Sequence, residues 1–228
     1  MARTIQQEVP GRSPLTAAAV LGRAVELADA EGLDAVTIRR LGKELGVTPM
    51  ALYWHFRGKD ALLDALVDRA VADVDLAVDL AVPWQQQFGS LMRSIVGMLR
   101  AHPWITALLS RGGLPSEGHL GVLEVMLDVL RRAGFTPEQA TTVARHALST
   151  AAALVGGEPG YAPRLSPEEL ADRQHRFRGL LEKLPGDRYP RIIEAAVPLS
   201  TCDDPDGYYA FGLDLLLAGI EAMAPRAR

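Results

Sequence analysis

The stretch from Thr37 to Phe56, TIRRLGKELGVTPMALYWHF, leaves a chain few ways to fold. Ile38, Leu41 and Leu45 recur at intervals of three and four, the spacing of one helical face. Gly46 ends that run, and Thr48-Pro49 opens another with a side-chain cap and a proline at the first helical position. Reversing a chain within about three residues calls for a positive φ at the junction, which glycine adopts without a Cβ clash. Two short helices joined so tightly predict a helix-turn-helix, with the second helix laid across the first and presented outward. Val47 plugs the space beneath the turn.

The second of these helices, read as running through Phe56, must sort a dense row of large side chains. Leu52 and Phe56, at i and i+4, face Leu41 and Leu45 and form its buried side. A nine-residue helix cannot also bury Tyr53, Trp54 and His55, so these point outward. The competing arrangement packs Tyr53 and Trp54 under the following helix. On the outward reading, Arg39, Arg40, Arg57 and Lys59 flank a surface whose Tyr hydroxyl, indole N–H and imidazole can donate to sugar-phosphate. The helix start at Thr48 offers backbone N–H groups to phosphate.

Charge supports this division of labour. The whole chain carries a net charge of −4, which argues against nucleic acid. Between Thr37 and Asp60, however, Arg39, Arg40, Lys43, Arg57 and Lys59 stand against only Glu44 and Asp60, whereas residues 61–228 hold 16 basic and 21 acidic residues. A basic region on an acidic body lets only the former approach phosphates.

The remainder reads as all-α, because apolar residues recur at three and four almost everywhere and no strand pair is credible. A first helix is expected from Ser13-Pro14 to about Glu31, with Gly32 as its stop and Ala18, Leu21, Val25 and Ala28 as its buried stripe. After Gly58 a longer helix is expected from Lys59 to Asp79, carrying Leu63, Val67, Ala70 and Val74. Further helices are expected over 84–101, 103–110, 116–133, 137–157, 166–184, 190–198 and 207–223. The turn-rich stretches 156–167 and 200–207 separate some of them. The single Cys202 suggests neither a disulfide nor a zinc site. No apolar run is long enough for a membrane span or a signal peptide, so the expected location is cytoplasmic.

The segment LTAAAVLGRAVELADAEGLDAVTIRRLGKELGVTPMALYWHFRGKDALLDAL resembles the DNA-binding domain of the tetracycline-repressor family of bacterial one-component transcription regulators. Gly32 and Thr37 at their spacing, LGVTPMALYWHF, and Lys59 followed by Leu62 and Leu63 carry the likeness over residues 13–66. The fuller LYWH is similar to the tetracycline-repressor branch itself. Trp84, RRAGF at 131–135, Glu158 and FGLDLLLAGIEA at 211–222 extend it more weakly. The resemblance implies a flexible arm over 1–12, a helix-turn-helix domain over 13–60, a connecting helix over 61–80, and a helical ligand-binding and dimerisation domain over 81–228.

It further implies a homodimer whose helices near 137–157 and 207–223 pair with their symmetry mates, placing two reading helices on double-stranded operator DNA. The nearly all-round apolar YYAFGLDLLLAGIEAM suits a helix covered on both sides. Carried over by position, Arg39 looks like the base-reading residue, with Pro49, Met50 and Ala51 at the groove-facing start of the next helix. Thr37, Tyr53, Trp54, His55 and Lys59 fall where the family contacts the backbone. Pro49, Met50 and Ala51 offer only apolar contact, so specificity leans on Arg39 and on DNA shape.

A small-molecule effector is implied in the second domain, with Trp84, Gln87, Phe88, Met92, Trp104, Met126, His146, Glu158 and Phe177 as candidate pocket residues; ordinary core packing is the competing role for each. Where tetracycline-binding members use histidines for the antibiotic and its magnesium, this chain has Asp75 and Leu108 or Leu109. A different effector is expected, with no metal and no cofactor. No nucleophile elbow, phosphate loop, dinucleotide glycine pattern or zinc His pair is present, which disfavours an enzyme. A helical interaction module that binds protein instead of DNA remains the other alternative.

Overall fold

The computed structural model describes residues 15–109, 116–158 and 165–225. Among these there are twelve α-helices, one short 3-10 turn at Leu33–Ala35 and no strand, in agreement with the all-α expectation. The expected arm and the Ser13-Pro14 start lie outside the described residues.

Helix α1 (Ala17–Glu31) begins later than expected because Thr16 is its cap, the hydroxyl accepting the Ala19 N–H at 3.2 Å. Its buried stripe is Val20, Ala24, Leu27 and Ala28, while Leu21 and Val25 lie at the edge and Ala18 is exposed. The helix is apolar on more than one side, so packing against α4 chose between two plausible stripes. Helices α2 (Ile38–Leu45), α3 (Pro49–Tyr53) and α4 (Lys59–Val71) complete a small head around Leu41, Leu52, Phe56, Leu62 and Leu66.

Helix α4 stops eight residues short of expectation. Val74 is still buried, as the apolar spacing predicts, but the backbone beyond it turns. Asp75 and Asp79 each take the N–H two residues on, at 2.9 Å, and the Asp75 N–H is donated to Ser94 Oγ at 2.7 Å. Aspartates that bond the backbone locally compete with helix and favour turns.

The body is built around α5 (Trp84–Ala101), which buries Phe88, Leu91, Met92, Ile95, Val96 and Leu99 against α7 (Glu117–Arg132), α8 (Pro137–Gly156) and α12 (Pro205–Met223). The short α6 (Ile105–Leu109) precedes α7. Thr136 and Gln139 close a reciprocal capping box at the start of α8, and Ser166 and Glu169 do the same for α9 (Pro167–Glu182). The expected helix over 190–198 is two, α10 (Pro190–Glu194) and α11 (Ala196–Ser200). Pro198 has no N–H to donate four residues back, so the ladder breaks near Ala195.

Candidate nucleic-acid interface and effector region

The turn between α2 and α3 depends on two glycines. Gly46 lies in the left-handed region at φ 64°, and the Val47 N–H reaches back to the Gly42 carbonyl at 2.9 Å. A Cβ on Gly42 would meet the Val47 carbonyl oxygen at 3.0 Å. Gly46 was legible in the sequence as a helix stop; Gly42 was not, because a glycine inside an apolar helical pattern gives no sign of what crosses over it.

With the turn fixed, the outward face is set. Leu52 is fully buried and Phe56 nearly so, while Trp54 is 86% exposed, Met50 68% and Tyr53 49%. That exposure excludes the arrangement with Trp54 under the next helix. His55, Pro49, Thr48, Thr37, Arg39 and Lys59 are exposed and Ala51 is half-buried, so all ten sequence-predicted interface residues lie on or at the edge of one small head. Regular helix ends at Tyr53, but the Phe56 N–H still reaches the Leu52 carbonyl at 2.9 Å, which keeps the aromatic row in helical register. Thr37 and Thr48 cap α2 and α3, accepting the Arg40 and Ala51 N–H groups at 3.1 and 3.4 Å. Lys59 opens α4.

One expectation needs correction. Arg40 is not a free cation beside the aromatics: its Nε donates to Glu44 Oε1 at 2.5 Å and its Nη2 to Glu31 Oε1 at 2.8 Å. Arg23 on α1 takes the other Glu44 oxygen at 2.6 Å. The hydrogen bond from Arg40 foremost, then that from Arg23, holds Glu44 below the ordinary carboxylate range; Glu44 foremost raises Arg40, while Glu26, then Glu44, raises Arg23. Only the Arg40/Glu44 spacing of four was visible in the sequence.

Among the described residues, side-chain hydrogen bonds tie α1 and α4 to the body at Asp29 and Asp68. Asp29 Oδ1 on α1 accepts the Trp104 indole N–H at 2.6 Å and lies 2.9 Å from His102 Nδ1. Asp68 Oδ1 on α4 accepts the Gly118 N–H at the start of α7, also at 2.9 Å. Trp104, expected in a pocket, thus commits its only polar atom to the head.

The other expected effector residues divide. Phe88, Met92 and Met126 are fully buried on α5 and α7, which pack together. Gln87 is buried but satisfied, donating to the Val82 carbonyl at 2.7 Å and accepting from Arg132 at 3.0 Å. Trp84 packs edge-on against Phe135 at 5.8 Å. Glu158 accepts the Tyr209 hydroxyl at 2.7 Å, and Arg100 lies over the Tyr209 ring at 4.4 Å while pairing with Asp206 at 2.8 Å. Burial, then Glu158, pushes the Tyr209 hydroxyl well above its usual range. His146 and Phe177 are exposed on α8 and α9 and join none of these groups. Asp75 is spent on its turn, and no set of three or more His, Cys, Asp or Glu side chains among the described residues is gathered for a metal. Among them no helix is long and apolar enough to cross a membrane.

A tight helix-turn-helix with exposed aromatics, carried on a separate helical body, defines a DNA-binding regulator of the helix-turn-helix class. Residues 20–66 match the family described as bacterial regulatory proteins, tetR family, and residues 81–224 match the tetracyclin repressor-like C-terminal domain. The chain is 28% identical to the HTH-type transcriptional repressor DrrR1 of Streptomyces coeruleorubidus, over 96% of this chain and 83% of that one. It superposes on the Streptomyces coelicolor TetR family protein ActR in complex with actinorhodin with a TM-score of 0.79, at 26% identity, over 95% of this chain and all of that one. A TetR variant from Acinetobacter baumannii in complex with minocycline gives a TM-score of 0.62 at 25% identity, over 92% and 98% of the two chains. The chain belongs to the tetracycline-repressor family and is a DNA-binding transcriptional regulator.

Proposed function

We propose that this chain is a homodimeric repressor that reads a pseudo-palindromic operator through α2 and α3 and leaves it when a small molecule enters the body. The observation that carries the reading is the outward row Met50, Tyr53, Trp54 and His55 on a head whose Leu52 and Phe56 are buried. Arg39 reads a base edge, Pro49, Met50 and Ala51 offer apolar contact in the groove, and Thr37, Thr48, Tyr53, Trp54, His55 and Lys59 hold the backbone. The chain divides in function into a reading head over 13–60, a connector over 61–80 and an effector and dimerisation body over 81–228.

Dimerisation is supported by α12, which buries Tyr209, Leu213 and Ile220 in its own body but leaves Phe211 72% and Leu215 67% exposed. Such a face suits pairing with a second copy. For the effector, the structures of relatives bound to actinorhodin and minocycline support a polycyclic aromatic ligand. Phe88, Met92 and Met126 suit one, since methionine adapts its shape to flat apolar surfaces. A ligand displaces the head only if it binds better to a state in which the head is turned, and the Asp29 and Asp68 ties are where the body holds the head.

The test is a gel shift with the DNA that flanks the chain's own gene, followed by addition of actinorhodin or minocycline. A discrete complex dispersed by either compound is the expected result. Absence of a specific complex at low salt would count against operator binding, and a complex indifferent to both compounds would count against this effector class. Sedimentation of Phe211→Asp is expected to give a monomer.

A further inference from the structure

The head sorts its cations into two sets. Arg39, Lys43, Arg57 and Lys59 are exposed and make no ion pair or side-chain hydrogen bond among the described residues. Arg23 and Arg40 are held. Glu44 is the hub, giving one oxygen to each guanidinium, and its side chain is 14% exposed against 42% for either arginine. Glu26 and Glu31 close the outer ends at 2.6 and 2.8 Å. The network therefore uses three carboxylates to neutralise two arginines beside the reading surface.

Stability is a weak reason for such a network, because exposed ion pairs contribute little. Its effect on DNA is larger. Sequence-independent affinity rises with each phosphate a protein neutralises, and a guanidinium bonded to two carboxylates has little charge left to offer. Arg40 follows Arg39 on α2 and is exposed beside it, one position round the helix, so once released its long side chain can swing toward the phosphates at the margin of that surface. Specificity is a difference of affinities, and weakening the wrong complex raises it as surely as strengthening the right one.

We infer that Glu44 is a specificity-determining residue of the DNA interface, which limits binding to random-sequence DNA by keeping Arg23 and Arg40 off the phosphates. This rests on the operator-binding reading above. Glu44 touches no DNA; it acts through the two arginines.

The experiment measures anisotropy of a labelled random-sequence duplex, and of the duplex flanking the chain's own gene, across a salt series. Wild type tests the underlying reading: binding to neither duplex at low salt removes that reading and this inference with it. Where wild type binds, Glu44→Gln is expected to raise random-sequence affinity roughly fivefold to tenfold near 0.1 M salt. Arg23 keeps Glu26 and Arg40 keeps Glu31, but the shared carboxylate is gone, so the slope of log affinity against log salt steepens by about one unit for each arginine that then meets a phosphate, and the ratio of operator to random affinity falls. Weaker binding to both duplexes at an unchanged slope would mean that Glu44 only braces the head, which overturns the inference. So would an equal gain from Asp64→Asn, the same charge change at an exposed α4 residue outside the network.

The double variant Arg23→Gln/Arg40→Gln keeps Glu44 and removes both cations. A wild-type slope is expected from it, with random-sequence affinity lowered no more than the loss of two charges away from the phosphates would lower it. A slope shallower by a unit or more would show that these arginines already neutralise phosphate, and the inference falls. Should circular dichroism show Glu44→Gln unfolded, the double variant decides alone.

Discussion

Trp54 and Phe88 are both aromatic side chains on helices, and the chain treats them in opposite ways. Trp54, just past the end of α3, is 86% exposed, whereas Phe88 on α5 is fully buried among α7 and α8. The head leaves Met50, Tyr53 and Trp54 in water and closes its small core around Leu41, Leu52, Phe56, Leu62 and Leu66. The body buries Phe88, Met92 and Met126 on α5 and α7, and its exposed large apolar side chains lie mainly on α9, α11 and α12. An exposed large aromatic calls for a partner, whereas a buried one is explained by packing alone. The outward aromatics of the head therefore call for a partner, as does the exposed face of α12, whereas Phe88 calls for none.

The contrast is broken most forcefully at the two aromatics themselves. Phe88→Ala is expected to destabilise the chain by about 3–5 kcal/mol, since a well-packed core collapses only partly around a deleted ring. Trp54→Ala is expected to leave stability within about 0.5 kcal/mol of wild type while weakening DNA binding. Paired urea melts and DNA titrations check both, and a large stability loss from Trp54→Ala would contradict its placement outside the core. Arg39→Ala comes next: a loss of about 1–3 kcal/mol at one base pair in each half-site, with other positions unaffected. Competition with single-base variants of the operator measures it, and an equal loss on every sequence would move Arg39 to the backbone contacts.

Two smaller effects sharpen the comparison. Lys59→Ala is expected to weaken all sequences alike and make the salt slope shallower by about one unit per head. In the body, Tyr209 is neutral in the fold, with its hydroxyl pKa raised by burial and by Glu158. The unfolded chain loses that proton near pH 10. The contribution of Tyr209 is present below that pH and declines above it as the unfolded state ionises more readily. Thermal melts above pH 10 are therefore expected to fall faster for wild type than for Tyr209→Phe.

The head was legible because its determinants are local. Gly46, the Thr48-Pro49 start and the Leu52/Phe56 pair lie within eleven residues, and the turn admits one sorting of the side chains. The ion network was not, because Glu44 meets Arg23 from 21 residues away and Glu31 meets Arg40 from nine. The first helix misled because two of its faces are apolar and tertiary contacts chose between them. Helix α4 is shorter than its apolar spacing predicts because Val74 keeps that spacing while Asp75 and Asp79 turn the backbone. In the body, no sequence pattern separates a methionine that would line a pocket from one that fills a core. The Asp29 ties to His102 and Trp104 span more than seventy residues and left no local sign.

On the proposed function, the α2–α3 face binds operator DNA through its free cations and outward aromatics. Titration of wild type with the duplex that flanks its own gene, repeated from 0.05 to 0.3 M salt, tests it most directly. The expected result is a specific complex whose log affinity falls linearly with log salt, at roughly one unit of slope per phosphate engaged. A flat dependence on salt, or affinity no greater than for random-sequence DNA across the range, would contradict it.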